Sequence, residues 1–111
     1  MIYVCTLYSH KSKRIRQKRY EFACRIVADL IKNGSPAFSP IAYSHVLAID
    51  YDMGTTWADW EYFDFDMLRF ASCVLVVKSP GWKKSKGIKA EIAKARELKI
   101  PVIFRKWPKN G

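Results

Sequence analysis

The sequence predicts an α/β domain: a small parallel sheet of four to five strands, doubly wound, with helices on both faces. Three observations lead there. Cys73-Val74-Leu75-Val76-Val77-Lys78 is a short, nearly continuous apolar run, as expected for a strand buried on both sides. Longer segments on either side of it place apolar residues at helical spacing. Strand-like and helix-like segments then alternate along the chain, the order that a parallel sheet with crossover helices requires.

Met1 to Leu7 is apolar with β-branched and aromatic residues and reads as the first strand. Ser9-His10-Lys11-Ser12 breaks that run and opens a helix to about Lys32. Ile15, Phe22, Ala23, Ile26, Val27 and Leu30 form its apolar stripe, and Asn33-Gly34 ends it. Ala37 and Phe38 make a short second strand, closed by Ser39-Pro40. Residues 41–55 show no clean period and read as a loop with at most a helical turn. Thr55 or Thr56 caps a second helix reaching about Ala71. After the strand at 73–78 comes a turn-rich loop from Ser79 to Trp82. A third helix covers Lys86 to Leu98, and a last strand covers Ile100 to Phe104. The pattern is that of a small Rossmann/flavodoxin-like domain. In such sheets ligands bind beyond the carboxyl ends of the strands. That gathers Tyr8, Ser9 and His10, residues 39–45 and residues 79–87 around one crevice.

At 111 residues, half of them apolar, the chain has the length and composition of one folded domain. There is no repeat, low-complexity tract or apolar stretch of membrane-spanning length, and no signal-peptide pattern, so a soluble cytoplasmic protein is expected. Cys5, Cys24 and Cys73 are odd in number and scattered, which fits neither a disulfide framework nor a zinc site; buried, inert thiols are expected, with no metal and no cofactor. The net charge of +10, concentrated in 11–25 and 83–99, suggests an anionic partner. A phosphorylated small molecule and nucleic acid both fit; so does a solvated basic surface.

The sharpest signal is acid where the core should be. On the third helix, at about 100° per residue, Ile88, Ile92, Ala95 and Leu98 define the inward stripe, and Glu91 falls within it. It also lies near the helix N-terminus, where backbone N–H groups and lysines would keep a carboxylate ionised, as a nucleophile requires. The plainer reading is a glutamate that favours the dipole or pairs with a lysine. On the second helix Trp57, Trp60, Met67, Leu68 and Ala71 form the stripe, with Asp64 in its middle. Two inward acids in so small a domain suggest an acid–base pair at one site. An ion pair between Asp64 and Arg19, itself on the apolar stripe of the first helix, is the structural alternative. The loop 79–87 is rich in hydroxyls and lysines before a helix N-terminus and suits an anion, although it is neither a Walker loop nor a GxGxxG fingerprint; a basic surface turn fits equally. His10 and His45 lack metal-ligand spacing. The aromatics of the second helix are mostly core or interface, with one or two free to stack on a base.

The stretch Ser85-x-Gly87-x-x-x-Glu91-x-x-x-Ala95 resembles the nucleophile motif of the nucleoside 2-deoxyribosyltransferase superfamily. Over nearly its full length the chain is similar to a short uncharacterised bacterial and phage family placed beside it (DUF1937-like). The shared features are the opening Ile2 to His10, Ser39-Pro40-Ile41 to His45, and Pro80-Gly81-Trp82-x-x-Ser85-x-Gly87. The resemblance implies that Glu91 attacks the anomeric carbon, that Asp64 protonates or orients the leaving base, and that Tyr3 positions the nucleophile. It implies a two-step displacement through a glycosyl-enzyme. Ser85 stands where the transferases carry aspartate and resembles the branch acting on nucleoside 5′-monophosphates, in which serine contacts the phosphate. Gly87, Tyr8, Ser9, His10, Trp82, His45 and Arg19 complete the expected substrate-binding set. Superfamily members often complete the site from a partner subunit, so a homodimer with Lys106 to Asn110 reaching across is a further expectation. The leading expectation is thus an N-glycosidase or deoxyribosyltransferase. A nucleotide-binding protein without chemistry and a basic nucleic-acid binder are the alternatives.

Overall fold

A computed structural model describes residues 1–106. Four strands form one all-parallel sheet in the order β2-β1-β3-β4: β1 Ile2–Cys5, β2 Ala37–Phe38, β3 Cys73–Lys78 and β4 Val102–Lys106. Four α-helices connect and flank them: α1 Lys13–Lys32, α2 Pro40–Asp50, α3 Trp57–Leu68 and α4 Lys86–Glu97. The fold is the small Rossmann/flavodoxin-like α/β arrangement that the alternation predicts.

Alternation along the two central strands divides the core. Tyr3, Cys5, Val74 and Val76 point to one face, where they pack with Leu68, Ile88 and Ala95 of α3 and α4. Val4 and Val77 point to the other and meet Phe22 and Ile26 of α1. Each helix starts where a side chain can satisfy its free N–H groups. Ser12, Ser39 and Ser85 accept from the third residue of α1, α2 and α4, at 3.3, 3.1 and 3.1 Å. At the start of α3, Asp59 reaches back to the Thr56 N–H at 3.0 Å. Gly34, at φ +87°, lets the chain turn out of α1 into β2, a conformation that a Cβ would oppose.

Several elements differ from the sequence-based reading: β1 ends at Cys5 rather than Leu7, and the last helix ends one residue early, at Glu97. Residues 40–50 form the helix α2 rather than a loop: Ser39 caps it and Pro40 occupies its first turn. Its buried side includes Ser44 and His45 while Tyr43, Val46 and Ile49 are exposed, so no apolar period marks it. The second helix ends at Leu68 rather than Ala71, and the last strand is Val102–Lys106 rather than 100–104. Pro101 lacks the N–H that a ladder needs, so pairing starts just after it. No helix among the described residues is long and apolar enough to cross a membrane.

β1 leads through α1 to β2 on one side, whereas β3 and β4 lie on the other. The direction of winding therefore reverses between β1 and β3. A crevice opens beyond the carboxyl ends of strands at such a reversal.

Candidate active site

A cavity of about 650 Å³ occupies that crevice, a size suited to a small organic ligand. β1 sends Tyr3 and Cys5 to the same face, two residues apart, and α4 brings Glu91 over them. The Tyr3 hydroxyl donates to Glu91 Oε2 at 2.5 Å, and the Cys5 thiol hydrogen-bonds the same carboxyl. Glu91 is 5 % exposed and lines the cavity; Asp64, 7 % exposed, lines it from α3. Asp64 Oδ1 has no hydrogen-bond partner, and neither does Oγ1 of the cavity-lining Thr6.

Burial decides the protonation of both acids. It pushes Glu91 up to about 8, aided by the charge of Asp64 and opposed by the hydrogen bonds from Tyr3 and Cys5. Burial alone pushes Asp64 up to about 7. Glu91 is therefore not held ionised by backbone N–H groups and lysines, as its place on the helix suggested: its side-chain donors are a phenol and a thiol, and desolvation wins. The two carboxyls are best treated as a coupled pair that retains protons near neutrality. Desolvation, followed by the nearby Glu91 charge, also keeps the Tyr3 phenol and the Cys5 thiol in their protonated, donating forms.

The residues expected to meet a phosphate converge at the start of α4. Ser85, Gly87 and the neighbouring Lys84 and Lys86 line the cavity. Ser85 Oγ is already engaged as the cap of Ile88 N–H, while its hydroxyl proton remains to be donated. The freedom at Gly87 is used by the protein itself: a Cβ there would lie 3.1 Å from Cε3 of Trp57. Trp57 thus packs directly on the first turn of α4.

Tyr8, Ser9, His10 and Arg19 line the mouth. Arg19 donates to the carbonyls of Tyr8 and Ser9, at 3.3 and 2.8 Å, and Arg16 donates to that of His10. The Asp64–Arg19 ion pair considered above is therefore replaced by bonds to backbone. His45 lies behind this wall and does not line the cavity. Its ring stacks on Tyr20, centroids 4.3 Å apart, and bonds Tyr8 Oη through Nδ1 at 2.7 Å and Gln17 Oε1 through Nε2 at 2.9 Å. Gln17 Nε2 in turn donates to Glu21 at 3.1 Å. That leaves the Gln17 Oε1, an acceptor only, facing the ring, so Nε2–H of His45 donates to Gln17 and Nδ1 accepts from Tyr8. Burial, then the charge of Arg16, lowers the His45 pKa and keeps that neutral form.

Trp82 also lies off the cavity, against Phe104 with centroids 5.6 Å apart. Of the residues suggested as reaching across a dimer, Lys106 ends β4 and 107–110 lie outside the described residues. Several wall residues escaped the sequence reading: Cys5, Thr6, Thr55, Trp57 and Trp60. Trp57 and Trp60 share the helical stripe of Asp64, so the periodicity that located the aspartate also carried them. Cys5 follows Tyr3 by two residues, which places both on one face of the strand. All three cysteines are free; Cys5 is buried, and Cys24 and Cys73 are half-buried. No cluster of side chains suited to a metal ion occurs among the described residues.

The family model described as a domain of unknown function, DUF1937, matches residues 1–106. No curated protein matches the chain.

Proposed function

The chain belongs to the DUF1937 family, and from its crevice we propose that it cleaves the N-glycosidic bond of a nucleoside or, preferably, a nucleoside 5′-monophosphate. The carrying observation is the floor of the cavity: a buried Glu91 held at 2.5 Å by Tyr3, with a second acid, Asp64, on the facing helix. The pair retains protons near neutrality, and the productive state holds one between them. With that proton on Asp64, Glu91 attacks the anomeric carbon while the C–N bond breaks. Asp64 delivers the proton to the departing base, and the sugar is left as a glycosyl ester of Glu91. Water, or a second base, then attacks the same carbon, gives its proton to Asp64 and frees Glu91, which restores the starting state. Tyr3 and Cys5 donate to Glu91 throughout and fix the carboxyl against the strand.

The preference for a 5′-phosphate rests on the start of α4, where Ser85 can donate its hydroxyl proton, free N–H groups converge and Lys84 and Lys86 flank the cavity. Trp57 and Trp60 supply aromatic wall for a base. Free thiols suit a reducing cytoplasm. The exposed Tyr43, Val46, Ile49 and Tyr62 of α2 and α3 suit a homodimer.

The test is release of free base from a panel of deoxynucleosides and their 5′-monophosphates, followed by chromatography. Wild-type protein should release base from at least one of them, and Glu91→Gln should release none while keeping the fold. Binding without release, unchanged in Glu91→Gln, would instead establish a nucleotide-binding protein without chemistry.

A further inference from the structure

A second cavity, of about 480 Å³, opens beside α1, and Leu7, Arg19 and Pro80 line both it and the crevice. Ile15, Lys18, Phe22 and Arg25 recur at helical spacing and bring two apolar and two cationic side chains to it. Among the described residues, Glu21 and Arg19 complete its charged lining. Three cations against one carboxylate leave a surplus of two positive charges.

Ser79 gives the site its direction. It follows Val77 by two residues, and Val77 faces α1. Ser79 is 3 % exposed and lines this cavity, yet its Oγ has no hydrogen-bond partner among the described residues. Its backbone groups are satisfied: the N–H donates to Val77 at 2.9 Å and the carbonyl accepts from Trp82 at 3.0 Å. A buried hydroxyl left unpaired costs stability, so it persists where something else uses it.

We propose that this cavity is a second anion-binding site, which takes a phosphomonoester. The phosphate meets Lys18 and Arg25 with the Ser79 hydroxyl as a neutral donor, and the apolar body of the ligand rests on Ile15 and Phe22. A phosphomonoester near neutral pH is close to a dianion, which the local surplus of charge matches. Arg19 connects this site to the first, because it lines both cavities and holds the carbonyls of Tyr8 and Ser9. A ligand here therefore stiffens one wall of the catalytic crevice.

Phenyl phosphate tests the assignment, since it has no glycosidic bond and its binding is independent of turnover. Titration followed by amide chemical shifts should move Phe22, Arg25 and Ser79. Lys18→Gln combined with Arg25→Gln should weaken binding at least tenfold. Ser79→Ala should weaken it severalfold without lowering the melting temperature, because the hydroxyl it removes has no partner in the fold. Three results would overturn the proposal: shifts confined to residues 85–87, phenol binding as tightly as phenyl phosphate, or a Ser79→Ala variant that melts clearly lower. Inorganic phosphate binding as tightly as phenyl phosphate would remove the apolar half of the assignment, and with it the phosphomonoester.

Discussion

The two ends of the crevice differ in how completely their polar groups are satisfied. At the mouth Tyr8 starts a continuous chain of hydrogen bonds that runs back behind the wall through His45, Gln17 and Glu21, and Arg16 and Arg19 bind the carbonyls of the first loop. At the floor Asp64 Oδ1 and Thr6 Oγ1 have no partner, and Glu91 is a buried acid whose carboxyl meets only weakly acidic donors. A framework spends its hydrogen bonds internally. A reacting site keeps some unspent, at a cost to stability that the surrounding fold must offset. The mouth has the character of scaffold, and the floor that of the place where the proposed chemistry would occur.

The largest break in this contrast should come from Asp64→Asn. The amide cannot deliver a proton, so base release should fall by about 10²–10⁴-fold, the range for loss of a positioned general acid. The wild-type rate should depend on pH across the interval in which the pair titrates. Steady-state rates at several pH values would check both statements, and an Asp64→Asn rate equal to wild type would confine the chemistry to Glu91 alone.

His45→Ala tests the other end. It leaves Tyr8 Oη and Gln17 Oε1 without their shared partner and removes a ring stacked on Tyr20, and the expected loss is about 1–3 kcal/mol of stability. Denaturant unfolding would measure it, and the rate of base release under folding conditions should change far less than in Asp64→Asn. The reverse ranking would place the chemistry at the mouth.

The smallest effect sharpens the floor. Glu91 titrates at its ordinary 4.5 in the unfolded chain and at about 8 in the folded one. Between those values the folded protein holds a proton that the unfolded chain has lost, so this group's contribution to stability is full below 4.5 and declines until about pH 8. Melting temperatures at pH 5 and pH 8.5 should therefore differ more for wild type than for Glu91→Gln. Equal differences would mean that Glu91 titrates normally.

These two regions were also unequally legible in the sequence. Glu91 and Asp64 stood out because a carboxylate on an apolar helical stripe breaks the pattern that burial imposes. Arg19 stood out for the same reason, but its partners are backbone carbonyls of Tyr8 and Ser9, which leave no mark on residue identity. α2 was hidden by its own composition. Its inner side carries Ser44 and His45 and its outer side Tyr43, Val46 and Ile49, so polarity does not separate the faces. Cys5, Trp57 and Trp60 line the crevice, yet by pattern alone an apolar residue facing a cavity is indistinguishable from one facing the core. The parallel sheet flanked by helices, by contrast, followed from alternation and connection rules that need no side-chain detail beyond hydrophobicity.

Position 87 has one more consequence. Because the indole of Trp57 rests on a residue with no side chain, the separation between the first turns of α3 and α4 is set by the thickness of a single ring against a backbone. Those turns carry opposite walls of the crevice, one with the aromatic residues and one with Ser85 and the lysines. Residue 87 thus works as a shim: a side chain there would press on the Trp57 ring, which must yield before the two turns can keep their spacing. The width of the crevice between those two turns therefore depends on a single hydrogen atom at position 87.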